Sequence, residues 1–340
     1  MVPERLRCLA HLVGHTPLLA ITVRLEDRVR TVYAKYEVHN YTGSIKDRMA
    51  LSILEEAYRS GSLGPDHVIA EATSGNTGIA FAALGRALGH EVRIYMPDWM
   101  SRERVLLIQS HGATVIPVST EEGGFLGSIA LADDYAEREP DVFLPHQFSN
   151  EANVRAHYRT TGPEILAQLE SRGLRPTAFV AGVGTGGTVM GVGRYLRETL
   201  PSIAVHPLEP ANSPTLRTGT RTGKHRIQGI SDEFIPQIVR LAELDRIIDV
   251  WDGEAIAVSQ ALAHRFGLGV GISSGANLHG AIQLAFESEA GVVTTVFADC
   301  NKKYLSTDLA RREPLAEDSL AARIELLDFE VIPAVRVALA

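Results

Sequence analysis

Residues 178–196 read AFVAGVGTGGTVMGVGRYL. The stretch opens on an apolar run of strand type, passes through a loop crowded with glycine and closes on a helical pattern over 188–198. Glycines let backbone N–H groups converge without Cβ obstruction, and the N-terminus of the following helix adds a positive dipole end, so this loop is built to hold a phosphate. The spacing leaves the phosphate's owner open. Gly182, Gly184 and Gly187 satisfy GxGxxG, and Glu209 ends the next apolar run where a dinucleotide fold places its ribose-binding acid, so a nicotinamide-dependent oxidoreductase is one reading.

On either side the chain alternates short apolar runs with amphipathic ones. Upstream come HVIAEA (67–72), a helix over 77–88, EVRIYMP (91–97), a helix over 102–110 and TVIPV (114–118). Downstream come a helix over 162–172, TAFVAGV (177–183), the helix over 188–198 and IAVHPLEP (203–210). Strands separated by helices of this length make βαβ units, so the expected fold is α/β, with two parallel sheets flanked by helices. Residues 211–236 are rich in Gly, Thr and Arg and poor in periodicity, the mark of a functional or mobile segment. After residue 310 a charged tail reads as a helix plus an extended end, with packing or oligomer contact as its expected role.

Three further turns carry concentrated polarity. EATSGNTGIAFAALG (71–85) packs Thr73, Ser74, Asn76 and Thr77 into five positions ahead of a helix, more than an N-cap requires, and offers hydroxyls, an amide and free N–H groups to a carboxylate. GLGVGISSGANLHGAI (267–282) puts Ser273 and Ser274 at the end of an expected strand, with Gly275 and Ala276 opening a helix. At carboxyl ends of parallel strands, such turns line one cleft. In VHNYTGSIKDRMALSILEEAYRSG (38–61), Met49, Ile53, Leu54, Ala57 and Tyr58 mark a helix that Gly61 stops. Lys46 then falls in its first turn, where the dipole disfavours a cation by a few tenths to about 1 kcal/mol.

With 340 residues, 45% hydrophobic and 22% charged, the chain has the composition of a folded protein with room for two domains. A net charge of -8 argues against nucleic-acid and anionic-membrane partners. Cys8 and Cys300 form no CxxC pair or disulfide framework, the N-terminus shows no signal-peptide pattern, and the glycine-broken run 177–193 is too short to span a membrane, so a cytoplasmic location is expected. The twelve histidines show no metal-ligand spacing, so no catalytic metal is expected, and GISSG lacks the GxSxG spacing of a serine hydrolase.

Taken in order, LVGHTPL (12–18), NYTGSIKDR (40–48), TSGNTG (73–78), QFSNEANVRAHYRTTGPEI (147–165), GVGTGGT (182–188), HRIQGI (225–230), GISSGAN (271–277) and KKYLSTDL (302–309) resemble the cysteine synthase and cystathionine β-synthase family, pyridoxal-phosphate enzymes of fold type II, the tryptophan synthase β fold. The resemblance implies that Lys46 forms the Schiff base with pyridoxal 5'-phosphate. Gly184, Thr185, Gly186, Gly187 and Thr188 would cradle the phosphate, Asn76 would bond the ring hydroxyl and Ser273 would face the pyridine nitrogen. Thr73, Ser74, Thr77 and Gln147 would grip the carboxylate of an amino-acid substrate. It further implies a large domain (1–41 plus 153–310), a small mobile domain (42–152), a C-terminal tail (311–340) and a homodimer. The implied reaction is β-replacement through an aminoacrylate, with O-acetylserine and sulfide giving cysteine and acetate. Elimination from serine or threonine, or replacement by an amine or thiol, are the alternatives. Ser231, Asp232 and Glu233 stand where the family has a small, glycine-rich loop, Tyr41 where it commonly has proline, and His146 where glutamine or aspartate is usual; these departures leave the nucleophile open.

Overall fold

The computed structural model describes residues 2–287 and 291–335. Its strands form two sheets. The smaller has four parallel strands in the order Thr114–Val118, Val92–Pro97, Val68–Ala72, Val142–Phe143. The larger has seven, in the order Ile324–Ile332, Leu18–Leu25, Arg28–Tyr36, Val293–Phe297, Ala178–Gly182, Ala204–Pro210, Ile248–Val250. Its last five are parallel and its first two pairings antiparallel. The α/β expectation holds, with an antiparallel hairpin added at one edge.

Side chains of the central strands alternate between two apolar layers. Phe179 and Ala181 face the helices Gly162–Glu170 and Gly187–Thr199, while Ala178 and Val180 face Asp252–Phe266 and Ile272–Glu287. The strand Val293–Phe297 is buried throughout, and its two threonines are accommodated because their hydroxyls donate to neighbouring carbonyls, Thr294 to Ala178 (3.1 Å) and Thr295 to Val180 (2.7 Å).

The tail's helix and extended end are both present, as Leu320–Arg323 and Ile324–Ile332, and one other sequence reading needs correction. The tail's extended end is an edge strand: Ile324–Ile332 pairs antiparallel with Leu18–Leu25, and the register shift at Leu327 sends Leu326 and Ile332 to opposite faces. A bulge there breaks the period-two pattern of the strand. Residues 336–340 of that tail lie outside the described residues. Ser273 and Ser274 do not end a strand; they lie in the first turn of Ile272–Glu287, and Val270 contributes only an isolated bridge to Cys300.

Behind the helix Lys46–Ser60 lies a closed ionic cluster. Arg48 donates to Glu37 through Nε (2.6 Å) and Nη2 (2.8 Å) and to Glu164 through Nη1 (2.7 Å) and Nη2 (2.8 Å), and Lys35 Nζ pairs with Glu164 at 2.8 Å. All four residues are buried. Removing one member of such a set leaves an uncompensated charge, at about 3–5 kcal/mol. Arg48→Met is therefore expected to lower unfolding stability by about that amount, read as a fall in the denaturant midpoint at constant m. A shift equivalent to less than about 1 kcal/mol, the value of an exposed pair, would contradict the assignment.

Candidate active site

Lys46 is the first residue of its helix, as its sequence position predicts, and Gly61 ends that helix at φ 82°. The turn before it is fixed locally: Thr42 donates to the Asp47 carboxylate through its backbone N–H (2.7 Å) and its hydroxyl (2.6 Å), and Ile45 N–H donates to Ala298 O (2.8 Å) at the carboxyl end of Val293–Phe297. Burial pulls the Lys46 amine below its ordinary pKa; Asp299 and Asp232 oppose that and Lys303 adds to it. The net direction favours a neutral amine.

The amine faces a cleft between the ends of the two sheets. Thr73, Ser74, Asn76, Thr77, Gln147, Gly184, Thr185, Gly186, Thr188 and Ser273 line it together with Lys46. Gly187 does not. A Cβ there would lie 1.9 Å from Asn153 Oδ1, so its glycine serves the close approach of Asn153, which donates to Thr185 Oγ1 (2.8 Å) and orients that hydroxyl. Gly186, at φ 87°, turns the chain into the helix Gly187–Thr199, whose first N–H, that of Gly187, donates to Thr185 Oγ1 (3.4 Å), and whose next N–H groups have no partner inside the helix. Thr188 Oγ1 stands 3.3 Å from Nε2 of His157, a buried ring whose pKa lies well below the ordinary value because of burial and then the Arg48 charge.

On the small-sheet side, Gln147 holds the 73–77 loop. It donates through Nε2 to Ala72 O (2.8 Å) and accepts from Thr77 Oγ1 (2.7 Å). Beneath it, burial raises the Glu71 carboxyl to about 8, and that group accepts from the N–H groups of Ala72 (2.9 Å) and Gln147 (3.3 Å). Asn76 donates through Nδ2 to Asp299 Oδ2 (2.7 Å), while its Oδ1 is buried without a partner. Such an orphaned acceptor calls for a donor from a ligand.

Sequence reasoning missed Asp299 and Arg104. Asp299 follows the apolar run VVTTVFA, and the rule that located the other turns applies to it equally. Arg104 sits in the charged run SRERV and gives no local signal. Glu209, the acid on which the nicotinamide reading relied, is fully buried away from the cleft: it accepts from Leu216 N–H (2.6 Å), and burial lifts its pKa to about 7. Among the described residues, no group of three or more His, Cys, Asp or Glu could hold a metal ion.

A sequence profile described as pyridoxal-phosphate dependent enzyme matches residues 9–299. The chain belongs to that family. It is 43% identical over 301 residues to a probable cysteine synthase of Bacillus subtilis, covering 88% of this chain and 96% of that one. It is 40% identical over 302 residues to a cysteine synthase of Staphylococcus aureus, covering 88% and 96%. Among solved structures it resembles a hydrogen sulfide-producing enzyme from Fusobacterium nucleatum, with 52% identity and a TM-score of 0.94 over 97% of this chain and 99% of that one. The chain is thus a pyridoxal-phosphate-dependent enzyme of the cysteine synthase family.

The residues present fit pyridoxal phosphate. A buried amine suits its aldehyde, a glycine-rich helix start its phosphate, the orphaned Asn76 Oδ1 its ring hydroxyl and the Ser273 hydroxyl its pyridine nitrogen. Gly187→Ala should force Asn153 off Thr185, costing about 1–3 kcal/mol of stability and weakening cofactor retention. Denaturant midpoints and equilibrium dialysis of the cofactor check this; unchanged retention would mean that Thr185 needs no such support.

Proposed function

We propose that this enzyme replaces the β-substituent of a serine-derived amino acid, with O-acetylserine and sulfide giving cysteine and acetate as the leading reaction. The observation that carries the proposal is one cleft holding three things: a buried amine at a helix start, an anion-cradling glycine loop, and the hydroxyl and amide groups of 73–77. Pyridoxal phosphate, when bound, supplies the electron sink that lets the Cα–H bond and the bond from Cβ to its leaving group break. Lys46 carries the cofactor and then, as a neutral amine, takes the proton from Cα. Thr73, Ser74, Thr77 and Gln147 hold the substrate carboxylate. Gly184, Thr185, Gly186 and Thr188 hold the phosphate, Gly187 supports them by admitting Asn153 against Thr185, and Asn76 holds the ring hydroxyl. Ser273, a hydroxyl rather than a carboxylate, leaves the pyridine nitrogen unprotonated and favours prompt loss of the β-group. The unit 42–152 closes over the amino acid against the unit formed by 1–41 and 153–310, excluding water.

Asp232 favours a second reading. It lines the same cleft, burial lifts its carboxyl to about 6, and the Lys46 charge opposes that shift. Glu233, by contrast, pairs with Arg221 at 3.0 Å. A carboxylate in the cleft opposes an incoming hydrosulfide anion and can take a proton from a neutral nucleophile such as water. With cysteine as substrate, Cβ–S breaks and Cβ–O forms. The proton taken from water reaches the departing sulfide, giving serine and hydrogen sulfide, in keeping with the Fusobacterium relative named hydrogen sulfide-producing.

The family resemblance also supports a homodimer. Two unpaired cysteines support a cytoplasmic location, and among the described residues no helix is long and apolar enough to cross a membrane.

Two measurements test these roles. Borohydride reduction followed by peptide mass spectrometry is expected to find the cofactor on Lys46, and Lys46→Ala to abolish turnover; a label on Lys35 or Lys303 would overturn the assignment. In the second, holoenzyme receives O-acetylserine with sulfide, an amine or a thiol, or cysteine with water alone. The base form of Asp232 exists above its pKa, so sulfide release from cysteine should rise as pH increases through about 6 and should be lost in Asp232→Asn. Equal release by wild type and variant would remove Asp232 from the chemistry.

A further inference from the structure

Arg104 is 2% exposed, yet among the described residues no carboxylate forms an ion pair with it; it interacts at longer range with its chain neighbour Glu103, whose carboxylate bonds Ser306. Nη1 donates to Ser74 O (3.2 Å) and to Gln228 Oε1, and the guanidinium lies 4.5 Å over the Tyr304 ring. Nε is buried with no acceptor. Arg48, equally buried, is enclosed by two carboxylates. An enclosed guanidinium without a counter-ion is disfavoured by desolvation unless a ligand supplies the charge.

The placement is built into the fold. Arg104 lines the Lys46 cleft, and its side chain crosses the 73–77 loop so closely that a Cβ on Gly75 would lie 2.3 Å from Arg104 Cδ. Gly75, at φ 153°, is what lets the side chain pass. An outer chamber opens toward Trp99 and shares Ser74 and Asp232 with the cleft. Gln228, the partner of Arg104, lines that outer chamber. The guanidinium therefore stands where the reaction cleft meets its vestibule.

We propose that Arg104 forms an anion subsite that binds the negatively charged group leaving or approaching Cβ, through the Nε–H that has no acceptor in the protein. The inference rests on the β-replacement reading, since that reaction has an anion on each side: acetate departs with the electron pair of the broken Cβ–O bond, and hydrosulfide arrives with the pair that forms Cβ–S. Arginine stays protonated throughout, so its part is electrostatic and no proton moves through it. Asp232 and Arg104 then divide the work, the carboxylate acting on protons and the guanidinium on anions.

Acetate is the probe. Its dissociation constant for holoenzyme is measured by calorimetry and by product inhibition, beside that of L-serine, which carries the same α-carboxylate but no anionic β-group. Arg104→Gln is expected to weaken acetate about ten- to a hundredfold, the loss of one charge-assisted hydrogen bond, with L-serine unchanged, and Arg104→Lys to recover most of the affinity. Cofactor absorbance and the recovery in Arg104→Lys establish that the variants are folded. Equal weakening of L-serine would assign the guanidinium to the α-carboxylate, and unchanged acetate affinity with lower thermal stability would leave it only a stacking role; either result overturns the proposal. Wild-type holoenzyme that turns over neither O-acetylserine nor cysteine would refute the β-replacement reading, while the calorimetric comparison would still decide the subsite.

Discussion

The cleft depends on the enclosure of Arg48 by Glu37 and Glu164. Arg48 lies two residues beyond Lys46, and its guanidinium joins three separated parts of the chain: the 3-10 turn Glu37–His39, the helix Lys46–Ser60 and the helix Gly162–Glu170. Fully desolvated, the cluster has little tolerance for partial opening, because any displaced member leaves a charge without its partner. It thus fixes the helix start, and with it the position of the Lys46 amine, from the side opposite the cleft. Burial draws Lys35 down to about 8 against the pull of Glu164.

The cleft itself follows from topology. The loops at 73–77 and 184–188 and Asp299 follow the carboxyl ends of parallel strands in two sheets, and the helices they lead into point their N-termini inward. Lys46 brings a cation to this already positive region. Desolvation dominates its titration, and the flanking Asp299 and Asp232 do not reverse it. The unfavourable helix-start charge and the buried environment act in the same direction, toward the neutral amine that carbonyl chemistry needs.

How much of this was legible in the sequence depended on how local its cause was. The glycine loop, the polar 73–77 turn and the Lys46 helix carry their signals within a dozen residues, and the helix over 102–110 and the strand over 114–118 matched their patterns residue for residue. What escaped is held by distant partners. Ser273 and Ser274 were misplaced because Gly271 ends a run that resembles a strand, whereas Ser274 Oγ, in the first turn of a helix, accepts from Ala298 N–H (2.9 Å) just beyond the strand Val293–Phe297. Arg104 meets Gln228 and Tyr304 only after the chain has folded. The tail's extended end was legible, but its pairing with Leu18–Leu25 was not.

The loop 229–233 shows how a departure from the family pattern acquires a structural meaning. Ser231 occupies the left-handed region at φ 56°, where a glycine would be unstrained. The conformation is held by three bonds: Ser231 N–H donates to Val183 O (2.7 Å), and its hydroxyl donates to Ser213 O (3.1 Å) and meets Thr215 Oγ1 (3.0 Å). Ser213 and Thr215 belong to the segment 211–236 that lacked periodicity, so that segment is the scaffold of the loop. The strained turn separates two adjacent acids, leaving Glu233 to Arg221 and turning Asp232 toward Lys46. Backbone strain maintained by dedicated hydrogen bonds is found where a side chain must be aimed. Asp232 is thus presented to the cleft by the conformation of its loop, and in the proposed reaction its carboxylate and the Arg104 guanidinium would weigh a neutral against an anionic nucleophile.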